Sequence, residues 1–336
     1  MNNIYKLENK KGLKIILSSI GAGIVDIIAP DRNGVEESIL IHPKNIDEYA
    51  YSSCYFGKPT GRTAGRIENG SFEINNQKYE IVKAKGNKHA LHGGVDGWAF
   101  KEFKVEQKAD KEYQYIVFKY YSKDGEGGYP GNLRASISYR LSNEKNVLRV
   151  EHHGQTDKDT LLNLTNHAYF NLSGDGKRNI LDHILYIDAS KFGEVNQDII
   201  ATGIKDVDEV YDFKIPHEIG KYIETSECQN NSRGYDNPFI IDQPGEHSVS
   251  AFLLDRISGR YIKIKSSYEC AVFYSTNYPD PIIVNHGESL KRYDGCCLEF
   301  QHFPNGVNSS FLSHKKDVLR KNEKYQEFIE YEFCHE

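Results

Sequence analysis

Several features that mark other protein classes are missing from this chain of 336 residues. No stretch approaches the roughly 18 consecutive apolar residues that a membrane-spanning helix needs. The N-terminal segment, MNNIYKLENKKGLK, is polar and lacks the apolar core of a secretion signal. Together these absences predict a cytoplasmic protein that does not associate with membranes.

The chain also lacks a basic block and paired cysteines. Its 42 basic and 48 acidic residues give a formal net charge of −6, which argues against nucleic acid as a partner. The six cysteines show neither CxxC pairs nor metal-ligand spacing: they are Cys54, Cys228, Cys270, Cys296, Cys297 and Cys334. We expect them to be free thiols in a reducing compartment.

The common cofactor and nucleophile motifs are absent as well. The chain has no GxGxxG after a strand, no GxxxxGK[ST], no GxSxG and no HExxH. The sequence therefore gives no motif evidence for a nicotinamide-dependent enzyme, a nucleotide-binding protein, a serine hydrolase or a zincin. His89 and His92 lie three apart and His152 and His153 are adjacent, but no third ligand follows at a familiar interval, so we expect no metal site.

Aromatic residues, by contrast, are abundant. The 23 tyrosines and 16 phenylalanines, with frequent Ile and Val, favour strands over helices. Alternation predicts one hairpin over residues 72–81 with its turn at 75–77, and another over 135–153 with its turn at 142–146. The segment YQEFIEYEF, residues 325–333, also alternates, except where adjacent Phe328 and Ile329 predict a bulge.

Helical periodicity is confined to residues 45–55 and 206–211, each long enough for a turn or two. No Pro/Gly/Ser-rich linker divides the chain, and we find no internal repeat. The economical interpretation is a single all-β domain over residues 1–336, a large antiparallel β-sandwich with few short helices. Loops at the rim of such a sheet can gather side chains for a ligand.

His167 is the most informative candidate. It lies in NLTNHAYFNLSG, residues 163–174, among Asn and Thr residues that usually avoid strands. Such violations of local preference collect at functional sites. We therefore predict that His167 serves function rather than structure.

Glu299 is the candidate carboxylate, in LEFQHFPNGVN, residues 298–308. Its neighbours Leu298 and Phe300 are apolar. Partial desolvation would raise its pKa and make it a better base near neutral pH. The alternative is a carboxylate on the solvent face of a strand. Periodicity leaves this open, because Cys297 and Leu298 cannot both be buried on one face.

Three further residues lie in segments rich in glycine or turn residues. Arg66 follows Arg62 by four in GRTAGRIENG, residues 61–70, and the alternative is that one of them pairs with a carboxylate such as Glu68. His92 precedes two glycines, which allow close approach of backbone to ligand, although a lone histidine is usually structural. Asp236 in GYDNPF equally suits an Asp-Asn-Pro turn.

Taken together and in this order, the segments resemble the galactose mutarotase (aldose 1-epimerase) family. The resemblance runs across essentially the whole chain and is carried by GRTAGRI, NKHALHGG, DGEGGYPGNLRASISYRL, NLTNHAYFNLSG, GYDNPF and LEFQHFPNGVN. It implies a single large β-sandwich, of the supersandwich type, with an open sugar cleft. It also implies a free monosaccharide substrate and no cofactor, and it leaves monomer and homodimer both open.

By position, the resemblance implies that His167 is a general acid and Glu299 a general base. Arg66, His92 and Asp236 would hold the sugar hydroxyls and ring oxygen. Glu299 would take the C1 hydroxyl proton while His167 protonates the ring oxygen, and rotation of the open chain would yield the other anomer. A nearby carboxylate is expected to keep His167 protonated further into the neutral range.

The sequence departs from the family pattern at a few positions. Phe300 follows the glutamate where a small polar residue is common. Asn305 and Gly306 replace a more usual Asp-Ala, and Ala201 stands where a proline is usual. Phe300 and Asn305 are expected to alter the pocket shape and so the sugar preference.

Three other functions stay open. A glycoside hydrolase needs two carboxylates, which Asp236 and Glu299 would supply. A non-catalytic sugar-binding module would use aromatic residues, such as Trp98 stacked on a sugar ring, although Trp98 equally suits a core position. A relative acting on hexose 6-phosphates would need a Lys or Arg cluster, which the sequence does not reveal.

Overall fold

The computed structural model describes residues 3–336, which are mostly strands. The N-terminal half contains the strands β1 Ile4–Glu8, β2 Lys14–Ser18, β3 Ile24–Pro30, β4 Glu36–Ser38, β5 Pro59–Thr60, β6 Arg66–Ile67, β7 Ser71–Ile74, β8 Gln77–Glu80, β9 Ala90–Leu91, β10 Lys104–Ala109, β11 Tyr113–Ser122, β12 Leu133–Ser142, β13 Val147–Thr156, β14 Thr160–Leu161 and β15 Thr165–Asn166.

The C-terminal half contains the strands β16 Ile184–Ile187, β17 Lys191–Val195, β18 Ala201–Asp206, β19 His217–Glu218, β20 Asp236–Ile240, β21 Ala251–Leu254, β22 Arg260–Ser266, β23 Cys270–Tyr274, β24 Cys297–Gln301, β25 Val318–Leu319 and β26 Lys324–His335. The two α-helices of the described residues are α1 Ile46–Tyr49 and α2 Ser226–Ser232. Single 3₁₀ turns cover Glu68–Gly70, Trp98–Phe100, Glu126–Gly128, Ile219–Lys221 and Gly306–Asn308.

Three sheets dominate the structure. The largest has nine strands in the order β10-β11-β12-β13-β26-β22-β21-β16-β19, the second has five in the order β18-β17-β20-β23-β24, and the third has four in the order β1-β2-β3-β4. Every pairing between these strands in residues 3–336 is antiparallel. The predicted all-β antiparallel fold is confirmed.

One hydrophobic core joins the three sheets. It combines apolar side chains from every sheet, and representative buried members are Ile27 of β3, Ile137 of β12, Ile262 of β22, Phe273 of β23 and Leu298 of β24. Because each sheet turns one apolar face toward this core, the sheets stack as a sandwich. Among residues 3–336, no helix combines the length and apolarity needed to cross a membrane.

Both predicted hairpins are confirmed. In the first, β7 and β8 pair around Asn75 and Asn76, whose φ angles of 54° and 60° are those of a two-residue hairpin turn. The turn is thus one residue shorter than predicted, because Gln77 already pairs with Ile74. In the second, β12 and β13 pair around residues 143–146.

The predicted bulge in the C-terminal strand is wrong. Strand β26 keeps an unbroken register with β13 through Phe328 and Ile329, and its pairing with β22 extends to Ile329 without a shift. The alternation fails for another reason: both faces are covered there. Ile329 enters the core, while Phe328 on the other face lies under the Arg149 guanidinium, 3.8 Å from its ring centroid.

The helix predictions are half right. Helix α1 lies within the predicted residues 45–55, but residues 206–211 form no helix: Asp206 ends β18 and residues 209–211 form a turn. The Asp208 carboxylate accepts hydrogen bonds from the Val210 and Tyr211 backbone amides, which closes a turn rather than a helix. Helix α2 was not predicted, since its polar sequence SECQNNS has no apolar stripe.

Candidate functional site

His167 directly follows the short strand β15, which pairs with β5. Its backbone continues the pairing: the His167 amide donates to the Lys58 carbonyl over 3.1 Å, and the Gly57 amide donates to the His167 carbonyl over 2.8 Å. The ring is buried, with 5% of the residue exposed. This position brings the imidazole to the floor of a cleft beside the five-stranded sheet.

The asparagines around His167 hold the backbone rather than the ligand. The side-chain amide of Asn166 donates to the Gly57 carbonyl, and that of Asn171 donates to the carbonyls of Arg178 and Asp294. Their presence in and after a strand is therefore a scaffold for His167. The sequence pattern identified the right segment, and His167, unlike Asn166 and Asn171, lines the cleft.

Glu299 lies in the middle of β24, opposite Val272 of β23. Side chains alternate along a strand, so Cys297, Glu299 and Gln301 share the face that turns to the cleft. Leu298 and Phe300 enter the core on the other face. Both faces of β24 are buried, which resolves the ambiguity left by periodicity.

Two clasps hold the segments of His167 and Glu299 side by side. At one end, the Asn163 side chain donates to the His302 carbonyl and accepts from the His302 amide, over 2.9 and 2.8 Å. At the other end, Phe170 and Cys296 exchange backbone hydrogen bonds of 2.8 and 2.9 Å. Between the clasps, His167 Nε2 lies 3.4 Å from Glu299 Oε1.

Arg66 and His92 reach the same cleft from one small ladder, because Arg66 of β6 pairs with Leu91 of β9. Asp236 enters from the first position of β20. Arg66 Nη1 lies 3.8 Å from Asp236 Oδ2. The five candidate residues predicted from the sequence therefore converge on one cleft, although they lie far apart in the chain.

The tautomer of His92 is fixed by the backbone. The Gly65 amide donates to His92 Nδ1 over 3.2 Å, and the His92 amide donates to the Gly65 carbonyl. Nδ1 is thus an acceptor, and the proton of the neutral ring lies on Nε2. Burial, helped by nearby His167 and Arg66, holds the pKa of His92 well below its ordinary value. His92 is therefore a neutral hydrogen-bond donor to the cleft.

Burial also sets the protonation of the central pair. It lowers the pKa of His167 to about 4. It raises the pKa of Glu299 well above its ordinary value, to which the Asp236 charge adds and which Arg66 opposes. The expected upward shift of the His167 pKa is therefore wrong, because loss of hydration is the dominant influence on the imidazole. Burial thus favours the uncharged form of both groups.

Several residues of the cleft were not predicted, among them Tyr55, Tyr169 and Gln301. Tyr55 and Tyr169 place their rings 6.1 and 5.1 Å from the His167 ring. Cys297, which is fully buried beside the cleft, has its Sγ 3.4 Å from His167 Nδ1. Strand alternation around Glu299 was a usable signal for Cys297 and Gln301. Tyr55 gave no signal, since it lies in a loop with a φ of 56°.

The cleft has two lobes that share Arg66, Leu91, His92 and Asp236. The first lobe, of about 250 Å³, contains these four with Ser53, Cys54, Tyr55, His167, Tyr169, Tyr274, Tyr278 and Asp280. The second lobe contains the same four with Gly65, Val195, Ile199, Ile200, Ala201, Pro238, Val272, Glu299, Gln301, Pro304 and Asn305. Glu299 thus lines the second lobe while contacting His167 of the first.

Two of the unusual residues have clear positions. Asn305 borders the second lobe as predicted, and its side chain accepts a hydrogen bond from the Glu68 amide. Phe300 does not border the cleft, because the strand turns it into the core. Its predicted effect on pocket shape is therefore wrong, whereas Ala201 does line the second lobe.

Arg62 and Trp98 lie outside the cleft. The Arg62 guanidinium is buried and donates to Ser122, Thr160 and the carbonyls of residues 123, 130 and 131. It therefore braces loops and does not pair with Glu68. Trp98 packs in the core against Phe103 and Tyr120, so it cannot stack on a bound ligand.

His92, His167 and Glu299 are also the residues that a cation would use. Their ligand atoms lie within 4.8 Å of one another. Catalytic zinc sites likewise take three protein ligands. The set is dense enough for a divalent ion, and the predicted absence of a metal stays a prediction.

Comparison with known protein sequences identifies the family of this chain. The sequence profile of the aldose 1-epimerase family matches residues 3–332. The galactose mutarotase of Sus scrofa is 32% identical over 320 residues, which cover 94% of this chain and 89% of the pig protein. The aldose 1-epimerase of Haemophilus influenzae is 28% identical, with 98% of this chain and 95% of that protein covered.

Solved structures agree. The aldose epimerase homologue from C. elegans superposes with a TM-score of 0.87 at 26% identity, covering 100% of this chain and 99% of that one. The galactose 1-epimerase from Lactobacillus acidophilus superposes with a TM-score of 0.85 at 23% identity, covering 99% and 95%. The chain belongs to the aldose 1-epimerase family of isomerases.

Proposed function

We propose that the protein interconverts the α and β anomers of free aldohexoses, galactose and glucose among them. The observation that carries the proposal is the buried pair of His167 Nε2 and Glu299 Oε1, 3.4 Å apart in a cleft. Family membership supports the reaction class. Anomer exchange needs one group to deprotonate the C1 hydroxyl and another to protonate the ring oxygen, and this pair offers both.

The number of protons that His167 and Glu299 hold together suits this reaction. Neutral His167 with protonated Glu299 holds the same number of protons as imidazolium with carboxylate. A ring-closed sugar favours the charged arrangement, because its C1 hydroxyl donates to the Glu299 carboxylate and its ring oxygen accepts from His167. As the C1–O5 bond breaks, both protons move and the pair becomes neutral, which is the arrangement that burial favours. Ring opening therefore neutralises both buried side chains.

Reclosure reverses these steps. The open-chain aldehyde rotates about C1–C2 and presents its other face. Glu299 then returns a proton to the carbonyl oxygen while His167 accepts the proton of the C5 hydroxyl, and the opposite anomer leaves. Each positioned proton transfer contributes about 10²–10⁴ in rate.

Arg66, His92 and Asp236 are proposed to hold the sugar. The neutral Nε2–H of His92 and the guanidinium of Arg66 donate to oxygen atoms, including those on which charge develops. Asp236 accepts from hydroxyl groups and balances the Arg66 charge at 3.8 Å. These three residues line both lobes, so they contact any sugar that reaches the catalytic pair.

We further propose that residues 1–336 form one domain and act in the cytoplasm. Strand β26, near the C-terminus, lies in the middle of the nine-stranded sheet, between β13 and β22, which supports a single unit. All six cysteines are free, which suits a reducing compartment. A monomer and a homodimer both fit these observations.

Polarimetry tests the proposal. Freshly dissolved α-D-galactose and α-D-glucose are followed with and without protein, and we expect a faster approach to the same final rotation. An unchanged rate for both sugars would contradict the proposal. An aryl galactoside is assayed in parallel, because release of its phenol would instead indicate a hydrolase using Asp236 and Glu299.

A further inference from the structure

Gln301 is a buried amide without a partner. The residue is 0% exposed. Neither its Nε2 nor its Oε1 forms a hydrogen bond with any part of the chain that the structure describes. A glutamine amide offers two donors and two acceptor sites, and buried amides normally use them. Its side chain borders the second lobe of the cleft.

The position of Gln301 is firmly determined. It is the last residue of β24, two after Glu299 and on the same face. The next residue, His302, is held by the Asn163 side chain through two hydrogen bonds. The strand therefore fixes both functional side chains on one rigid element, at a spacing of roughly 6.8 Å between their Cα atoms.

Gly65 leaves the space beside the amide. A side chain at Gly65 would place its Cβ 3.4 Å from Gln301 Nε2 and 2.9 Å from the Cβ of Pro304. The φ of Gly65 is +70°, a conformation that glycine adopts without strain. The amide thus faces the second lobe, and none of the residues that line this lobe forms a hydrogen bond with it.

We propose that Gln301 is a substrate-binding residue that recognises a hydroxyl on the C2–C3 edge of the sugar. The inference rests on the proposed function, which places the C1 hydroxyl at Glu299 and the ring oxygen at His167. His167 lies in the first lobe and Gln301 in the second, with Glu299 between them. The ring atom on the far side of C1 from the ring oxygen is C2, so that edge of the sugar meets Gln301.

The chemistry of the lobe defines the substrate class. An uncharged amide that both donates and accepts matches a hydroxyl, which does the same. Val195, Ile200, Val272 and Pro304 surround it with apolar surface, and Arg66 is the single cationic residue among those that line the lobe in the described chain. The lobe therefore suits a neutral aldose with free hydroxyls on this edge, not a phosphorylated one.

The test compares substrates lacking one hydroxyl at a time. kcat and KM for mutarotation are measured by polarimetry for wild type and Gln301→Met on D-galactose, 2-deoxy-D-galactose and 3-deoxy-D-galactose. Methionine keeps the length of the side chain and removes the amide. We expect Gln301→Met to lose about tenfold or more in kcat/KM on galactose, the scale of one hydrogen bond. On one of the deoxy sugars the two enzymes should agree within about twofold.

The controls separate the possible failures. Gln107→Met, on the exposed strand β10, removes a glutamine amide far from the cleft and should change nothing. If wild type does not accelerate mutarotation, the proposed function fails. If wild type is active but Gln301→Met loses the same factor on all three sugars, or loses nothing on galactose, the role of Gln301 is refuted.

Thermal melting distinguishes a substrate-binding role of Gln301 from a structural role, because the two roles predict opposite changes in melting temperature. Without sugar, Gln301→Met should melt at the wild-type temperature or above, because it removes an unsatisfied buried amide. With galactose, wild type should gain more in melting temperature than the variant. A lower sugar-free melting temperature for Gln301→Met would overturn the proposal, since it would show that the amide supports the fold.

Discussion

Two depressions of the described chain differ both in burial and in size. The cleft that contains His167 and Glu299 encloses buried titratable residues, His167, Glu299, His92 and Asp236. A second groove on the nine-stranded sheet is larger, about 900 Å³ against 250 Å³ for the first lobe. We call it the sheet groove, and its lining includes Lys104, Lys119, Tyr121, Arg134, His153 and Lys324.

Volume alone would favour the sheet groove, whereas burial of titratable groups favours the cleft. The Lys119 and His153 side chains of the sheet groove are 50% and 39% exposed, so water hydrates them. Water is largely excluded from His167 and Glu299, and the loss of hydration shifts both pKa values. In the cleft, burial shifts the pKa of both candidate proton-transfer groups, which is typical of a functional site.

Substitution of His167 or Glu299 should lower kcat far more than substitution of residues in the sheet groove, and this is the largest effect that we expect. Glu299→Gln and His167→Asn each remove one proton carrier, and we expect losses of about 10²–10⁴ in kcat with the fold retained. Lys119→Ala and Tyr121→Ala in the sheet groove serve as matched controls and should keep wild-type kcat. Polarimetric rates and circular dichroism check both. Wild-type turnover in Glu299→Gln would refute the assignment.

The pH profile should show the next largest effect. The active pair holds one proton. Below about pH 4, the pKa of His167, a second proton occupies the imidazole and kcat/KM should fall about tenfold per pH unit. Above the raised pKa of Glu299 the single proton is lost and activity falls again. His153→Gln in the sheet groove should leave the profile unchanged. A profile with no acid limb down to pH 3 would contradict this account.

Asp236→Asn should shift one limb of that profile. The Asp236 charge contributes to the raised pKa of Glu299. Neutralising Asp236 therefore lowers the Glu299 pKa, and the alkaline limb should move to lower pH. The loss of a hydroxyl acceptor should also raise KM for galactose. An alkaline limb that stays in place would show that Asp236 does not act electrostatically on Glu299.

Chelation should have the smallest effect. Proton transfer needs the Nε2 of His167 and the Glu299 carboxylate free, whereas a bound cation would occupy both. We expect dialysis against EDTA to leave kcat unchanged, and elemental analysis of the purified protein to find less than stoichiometric metal. Loss of activity that added zinc restores would instead assign His92, His167 and Glu299 as ligands.

The turns and strands that depend on local sequence could largely be predicted. The turn at Asn75 and Asn76 was readable because asparagine tolerates positive φ. Alternation placed the strands, but it failed at Phe328 and Ile329, because the Arg149 side chain covers the outer face. Contact between a side chain and the outer face of a distant strand depends on tertiary packing, so the local sequence pattern does not reveal it.

The candidate site was predictable as a set of residues but not as an electrostatic unit. Motifs identified His167, Glu299, Arg66, His92 and Asp236, and all five meet in the cleft. The direction of the His167 pKa shift was missed, since it depends on how completely the fold excludes water. The tautomer of His92 was equally hidden, because it is set by the backbone amide of Gly65.

The clasp between Asn163 and His302 joins residues 139 positions apart in the chain. A nascent chain that ends before Glu299 therefore holds the proposed acid without the proposed base, and it lacks the strand residue Gln301. Closing a loop of this length costs entropy that only the completed sheets offset. Activity should consequently appear late in synthesis, after the final strands have left the ribosome, and it can serve as a direct readout of completed folding.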